Sequence, residues 1–141
     1  MKILLPVDGS LYTKKMLAYL AMHRDTFAGS GNELTVLSVQ PALPPRARGM
    51  LSQQELLSYY NEEAAKVLDP VLKFLQQHGI TASARAETGA PGNVIAHFAT
   101  DGKYELIIMG SHGNGALAGL VMGSVASKVL ASCETPVLLI R

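Results

Sequence analysis

Apolar residues along this chain come in two kinds of run, and the two kinds alternate. "KILLPVD" at 2–8 is short and nearly continuous, the pattern of a strand buried on both faces. "SLYTKKMLAYLAMHRDTFA" at 10–28 has helical spacing, with Met16, Leu17, Leu20 and Ala21 on one face. Ser10 stands where it can cap the first turn. "ELTVLSVQ" at 33–40 predicts a second strand, and the proline- and arginine-rich "PALPPRARGM" follows it. The connection over 41–52 is the one stretch expected to be mobile. Ser52 and Glu55 form a capping box. Behind it Leu56, Tyr60, Ala64, Val67, Val71 and Leu75 repeat at helical spacing until Gly79, a helix stop. Pro70 lies inside this helix and should bend it.

"ITASARAE" at 80–87 alternates and predicts a third strand near a sheet edge. Pro91 opens a short helix, "PGNVIAHFATD". "YELIIMG" at 104–110 predicts a fourth strand, "SVASKVLAS" at 124–132 a helix with Val125 and Val129 inward, and "PVLLIR" at 136–141 a fifth strand. Strands separated by helices imply an α/β fold: an open, five-stranded parallel sheet, flavodoxin- or Rossmann-like, with helices on both faces. The expected strand order is 3-2-1-4-5. No internal repeat or low-complexity segment interrupts residues 1–141, which read as one domain.

Composition narrows the classes. Hydrophobic residues make up 48% of the 141, enough for a full core without staples. The formal net charge is +1, which argues against a nucleic-acid surface. Cys133 is the single cysteine, so no intrachain disulfide framework or CxxC metal knuckle exists, and a reducing cytoplasm is the expected compartment. The apolar run at the N-terminus is too short for a secretory leader. No run approaches the ~20 apolar residues of a membrane span. His23, His78 and His97 are scattered without metal-ligand spacing.

In an open α/β sheet, ligands bind beyond the carboxyl ends of the strands, where strand order reverses. The two richest candidates are Asp8-Gly9-Ser10 after the first strand and "MGSHGNGALAGLVMGS" at 109–124 after the fourth. They would be neighbours in the expected order. The second stretch carries five glycines and almost no charge. Glycines let a backbone approach an anion without a Cβ in the way, and a helix beginning at Gly123-Ser124 would present N–H groups to a phosphate. No Walker A pattern exists. "GNGALA" at 113–118 fits G-x-G-x-x-A, but it follows the fourth strand, whereas a dinucleotide fold puts it after the first.

The spacing Gly110-x2-Gly113-x9-Gly123-Ser124, together with "PVDGS" at 6–10 and the final "TPVLLI", resembles the ATP-binding branch of the universal stress protein family over the whole chain. The resemblance implies that Asp8 holds the ribose or the adenine side, that Pro6 and Val7 line the base, and that Val39 makes an apolar contact to adenine. It implies that Met109 and Gly110 turn over the base and ribose, and that Gly113, Gly123, Ser124 and Val125 bind phosphates. Val7 stands where some members have a hydroxyl residue, so base contacts there fall to the backbone. The implied ligand is ATP with Mg²⁺, and the implied assembly is a homodimer through the C-terminal strand, 136–141.

Each candidate also has a plainer reading. Asp8 fits a helix-stabilising role, and Gly123-Ser124 fits a closely packed helix start. Gly115 and Gly119 fit loop flexibility. His112 could reach a phosphate, though a solvent-facing loop histidine is the default. Arg46 and Arg48 could fold over phosphates, or form a solvated basic turn. Three functions therefore stand side by side. One is a nucleotide-binding regulatory protein with at most slow ATP hydrolysis or autophosphorylation. The second is an α/β enzyme using a flavin or nicotinamide. The third is a dimerisation module whose crevice binds no nucleotide.

Overall fold

In a computed structural model of the chain, which describes residues 1–115, 119 and 121–141, five parallel strands form one sheet in the order β3-β2-β1-β4-β5. The elements run β1 (Lys2–Val7), α1 (Leu11–Met22), α2 (Arg24–Phe27), β2 (Glu33–Gln40), α3 (Pro45–Arg48), α4 (Gln53–Gln77), β3 (Ser83–Thr88), α5 (Pro91–Asp101), β4 (Leu106–Gly110), α6 (Ser124–Ser132) and β5 (Val137–Ile140). The expected α/β class, parallel sheet and strand order are all present.

Alternation along β1 sorts the core into two layers. Ile3, Leu5 and Val7 face α1 and α4, where they meet Met16, Leu20, Val71 and Leu75. Leu4 joins Leu37, Ile95, Ile107 and Val129 on the face covered by α5 and α6. The central strands are therefore apolar on both sides, as the continuous runs predict. β3 is an edge strand, and its side chains are mostly exposed.

Three expectations change. The helix read over 10–28 breaks at His23, after Met22, which is 80% exposed and contributes nothing to the buried face. Ser10 occupies the N-cap of α1, but its side chain makes no capping bond. The turn is stitched instead by Thr13, whose hydroxyl accepts from the Asp8 N–H at 3.0 Å and donates to Asp8 Oδ1 at 2.9 Å. Ile80, read as the start of the third strand, belongs to the end of α4. Gly79 has φ +68°, its N–H donates to Gln76 O, and the Ile80 N–H reaches back to Leu75 O at 2.9 Å. That is a Schellman closure, with Ile80 buried against the helix it terminates.

The capping box forms as read: Glu55 N–H donates to Ser52 Oγ, and Ser52 N–H donates to the Glu55 carboxylate. α4 runs through Pro70 without a break in its span. The 41–52 connection contains the single turn α3 and is tied to α4 where the Leu43 N–H donates to the Tyr60 hydroxyl at 3.0 Å.

Candidate functional site

β1 and β4 pair only at their N-terminal ends, at Ile3–Leu106 and Leu4–Ile107. Beyond that point their carboxyl ends part, and the following loops go to opposite faces of the sheet. A cavity of about 580 Å³ opens there. All ten residues named from the sequence line it: Pro6, Val7, Asp8, Val39, Met109, Gly110, Gly113, Gly123, Ser124 and Val125. His112 lines it as well. Arg46 and Arg48 are exposed on α3 and take no part in the lining.

The cavity has two unlike ends. Toward β2 its wall carries the apolar Leu37, Val39 and Pro41, with Pro91 and Ile95 of α5, and also the polar Gln40, Glu63 and Lys66. Toward β4 it is walled by Gly110, His112, Gly113, Asn114, Gly115 and the start of α6. Asp8 stands between the two. An apolar part and an amide-rich part therefore share one space.

Asp8 is held on every side. Its Oδ1 accepts from the Ser10 N–H and the Thr13 hydroxyl, both at 2.9 Å, and its Oδ2 accepts from the Asn114 N–H at 3.0 Å. Partial burial pushes the carboxyl pKa up, but the bonds from Ser10, Asn114 and Thr13 outweigh it and hold the group below the ordinary carboxylate value. The helix-stabilising reading of Asp8 is thus realised at Oδ1, while Oδ2 faces the glycine loop.

The glycines answer first to the chain's own packing. A Cβ on Gly113 would collide with Asp8 Oδ2. One on Gly110 would lie 2.6 Å from Tyr12 Cβ, and one on Gly123 would lie 3.0 Å from His112 Cα. Gly115 and Gly119 differ: they have φ +78° and +84°, a conformation that favours glycine, with open space where a Cβ would go. The "GNGALA" match runs into 116–118, which lie outside the described residues.

His112 is a positioned side chain. Its ring lies 4.8 Å from that of Tyr12, and Nδ1 is 2.8 Å from the hydroxyl of buried Ser111.

The sequence reading passed over one wall entirely. Glu63, Lys66 and Val67 reach the cavity from α4, and Thr13 reaches it from α1. Lys66 Nζ donates to Glu63 Oε1 at 2.7 Å, which holds the ammonium pKa up. Asn114 was also missed. An Asn beside a glycine in a loop is a usable signal, because its amide readily bonds nearby backbone. For α4 no signal exists, since Glu63 and Lys66 read as an ordinary polar face.

Comparison with known proteins extends this picture. A model of the Universal stress protein family matches residues 1–141. A universal stress protein of Thermus aquaticus is 32% identical over 143 residues, covering 99% of this chain and 97% of that one. Among solved structures, protein MJ0577 superimposes with a TM-score of 0.80 at 28% identity, covering 99% of this chain and 94% of its own. Three more distant structures share the fold and were solved with nucleotides. They are a universal stress protein with cAMP (TM-score 0.71, 19% identity, covering 100% and 97%), one from Archaeoglobus fulgidus with dAMP (0.69, 20%, 100% and 98%) and one from Arabidopsis thaliana with AMP (0.69, 16%, 99% and 90%). Among the described residues, no helix is long and apolar enough to cross a membrane.

Proposed function

The chain belongs to the universal stress protein family, and from that premise we propose that residues 1–141 act as one adenine-nucleotide-binding regulatory domain. The observation that carries this reading is the two-ended cavity, with all ten candidate residues on its wall. The apolar slot at Val39, Pro91 and Ile95 suits a base. Asp8 is an acceptor for sugar hydroxyls, and the amide-rich end suits phosphate. Backbone register adds an adenine-like partner. Gln40 O accepts from Gly89 N–H on the β3 side. By alternation, the carbonyl of Val39 faces the β1 side, past the last β1–β2 pair at Val7–Ser38. The relatives solved with cAMP, dAMP and AMP support the same ligand class.

We take the physiological ligand to be ATP with Mg²⁺. No group of three or more His, Cys, Asp or Glu converges among the described residues, so the cation would arrive coordinated by the phosphates and water. Bound Mg²⁺ supplies charge neutralisation there, and Ser124 Oγ is the hydroxyl nearest that role on α6. The proposed output is regulatory, through nucleotide state and a homodimer built on the exposed edge of β5, with at most slow hydrolysis or autophosphorylation.

The test begins with denaturing freshly purified protein and identifying any released ligand by mass spectrometry. The stripped protein is then titrated by calorimetry with AMP, Mg²⁺-ATP, FMN and NADH. Val39→Trp fills the apolar slot from a half-buried wall position and serves as the blocked control. Binding of adenine nucleotides alone, lost in Val39→Trp, is the expected result. Heat only with FMN or NADH would establish the alternative enzyme reading. Heat with none of the four would leave a dimerisation module.

A further inference from the structure

The cavity wall draws on both faces of the sheet, and the two faces differ in chemistry. Val39 and Ile95 belong to the apolar layer under α5 and α6. Gln40, the next residue along β2, points by alternation to the α4 face, where Glu63 and Lys66 also line the cavity. Lys66 is the one lysine or arginine among the described lining residues.

The α4 wall is tied to the tip of β2. Gln40 Nε2 donates to the Glu63 main-chain oxygen at 3.4 Å and to Ser38 Oγ at 3.3 Å. Glu63 is thereby held beside the strand end that carries Val39. Its side chain is 31% exposed, against 69% for Lys66, so the carboxylate is the more enclosed member of the pair. Lys66 Nζ donates to Glu63 Oε1 at 2.7 Å. That bond engages one carboxylate oxygen and one ammonium N–H. Among the described residues, Glu63 Oε2 and the other two N–H groups of Lys66 take no hydrogen bond. An acceptor and a donor therefore stand side by side on the cavity wall, kept in that order by their own bond.

Resting on the nucleotide reading above, we propose that the Glu63–Lys66 pair reads the edge of the base: Glu63 Oε2 accepts from the exocyclic amino group, and Lys66 Nζ donates to the ring nitrogen beside it. Adenine presents that order, an amino donor next to a ring-nitrogen acceptor. Its amino group has two N–H bonds, one for the Val39 carbonyl and one for Glu63. Hypoxanthine puts a carbonyl oxygen in place of the amino group. That oxygen would face two acceptors and leave both unpaired. Apolar walls alone discriminate poorly between bases of one shape, whereas a site that bonds an N–H rejects the analogue lacking it. The pair stands on a half-open wall, so the preference is on the order of tenfold.

Calorimetry on the stripped full chain tests the assignment with AMP, IMP and purine riboside 5′-monophosphate, which carries hydrogen in place of the amino group. Glu63→Ala keeps the main-chain oxygen that holds Gln40, and Lys66→Met keeps a long apolar stem. Both replacements are good helix formers, so α4 stays folded, and circular dichroism checks this. Glu63→Ala should weaken AMP about tenfold, leave the purine riboside nucleotide within about twofold, and make IMP no weaker. Lys66→Met should weaken AMP and the purine riboside nucleotide alike, by roughly threefold to tenfold, because both keep the ring nitrogen. Equal weakening of all three ligands in Glu63→Ala overturns the assignment, since a wall that only shapes the cavity does not sense the amino group. Unchanged AMP affinity in either variant overturns it too. Both results leave the nucleotide site standing. Failure of the unsubstituted chain to bind any of the three overturns the site reading and this inference with it.

Discussion

Asn114 grips Asp8 at two points. Its backbone N–H donates to Asp8 Oδ2 at 3.0 Å, and its side-chain Nδ2 donates to the Asp8 main-chain carbonyl at 3.0 Å. Two loops that are 106 positions apart in sequence are thereby fastened across the mouth of the crevice. Asn114→Ala keeps the first bond and loses the second. It should cost about 1 kcal/mol of stability or less, the net value of one hydrogen bond at an exposed site. Equilibrium urea unfolding reads the stability. Amide hydrogen exchange at 113–115 should rise further than the global change accounts for, because the local tie is what was cut.

The same carboxylate sets a pH dependence. Its pKa is lowered in the folded state, so its stabilisation is fully present above its unfolded value of about 3.9. That stabilisation is lost as pH falls through the lower, folded value. Asp8→Asn removes the charge and brings an amide donor toward the donors of Ser10, Thr13 and Asn114. It should cost about 1–3 kcal/mol at neutral pH. The gap between wild type and variant should narrow below about pH 4. Unfolding midpoints measured from pH 7 to pH 2 would expose a constant gap, which would mean that Asp8 acts through shape and not through charge.

The loop glycines should separate into two classes. Gly115→Ala meets open space and faces only the left-handed backbone at φ +78°, a cost of about 1 kcal/mol. Gly113→Ala drives a methyl into Asp8 Oδ2 and must displace the carboxylate from its bonds. It should cost about 2–4 kcal/mol and weaken nucleotide binding with it. Urea unfolding of the two variants side by side gives the order. Equal losses would mean that the Asp8 carboxylate moves aside for the methyl, so that the close approach is not what fixes glycine at 113.

How far this was legible in the sequence depends on how local the cause is. The α/β class and the parallel sheet followed from alternating buried strands and helices, the loops after β1 and β4 from the rule that ligands gather past strand ends, and the ten individual wall residues from the resemblance to the universal stress protein family. The Ser52–Glu55 box and the Gly79 stop are local and were read correctly. Ile80 was misassigned because "ITASARAE" alternates like a strand, while a bond back to Leu75 claims its first residue for the helix. The α4 wall was invisible for a different reason. Leu68 was missing from the predicted buried face, and Glu63 and Lys66 reach the cavity only because of how α4 docks beside β2. The reason for the glycines was the subtlest point. The sequence reading tied them to a ligand, whereas Gly110, Gly113 and Gly123 are each already required by a neighbour inside the chain.

The proposed homodimer can be tested without destroying the monomer. Ending the chain at Thr135 would remove Ile140, which is buried, and the whole β4–β5 pairing, so loss of a dimer there would be uninterpretable. The register offers a better cut. Ile107 N–H donates to Pro136 O, and Ser111 N–H donates to Ile140 O. Residues 136, 138 and 140 thus turn their backbone groups toward β4, and Val137 and Leu139 turn theirs to the open edge. Leu139→Pro removes an outward N–H and spares the inner ladder, an edge placement that a proline tolerates. Leu138→Pro breaks the inner ladder instead. Light scattering with circular dichroism should find Leu139→Pro folded and monomeric, and Leu138→Pro destabilised by about 3 kcal/mol or more. A folded Leu139→Pro protein that still runs at twice the chain mass would move the interface away from β5, because no second strand could then complete its hydrogen bonds along that edge.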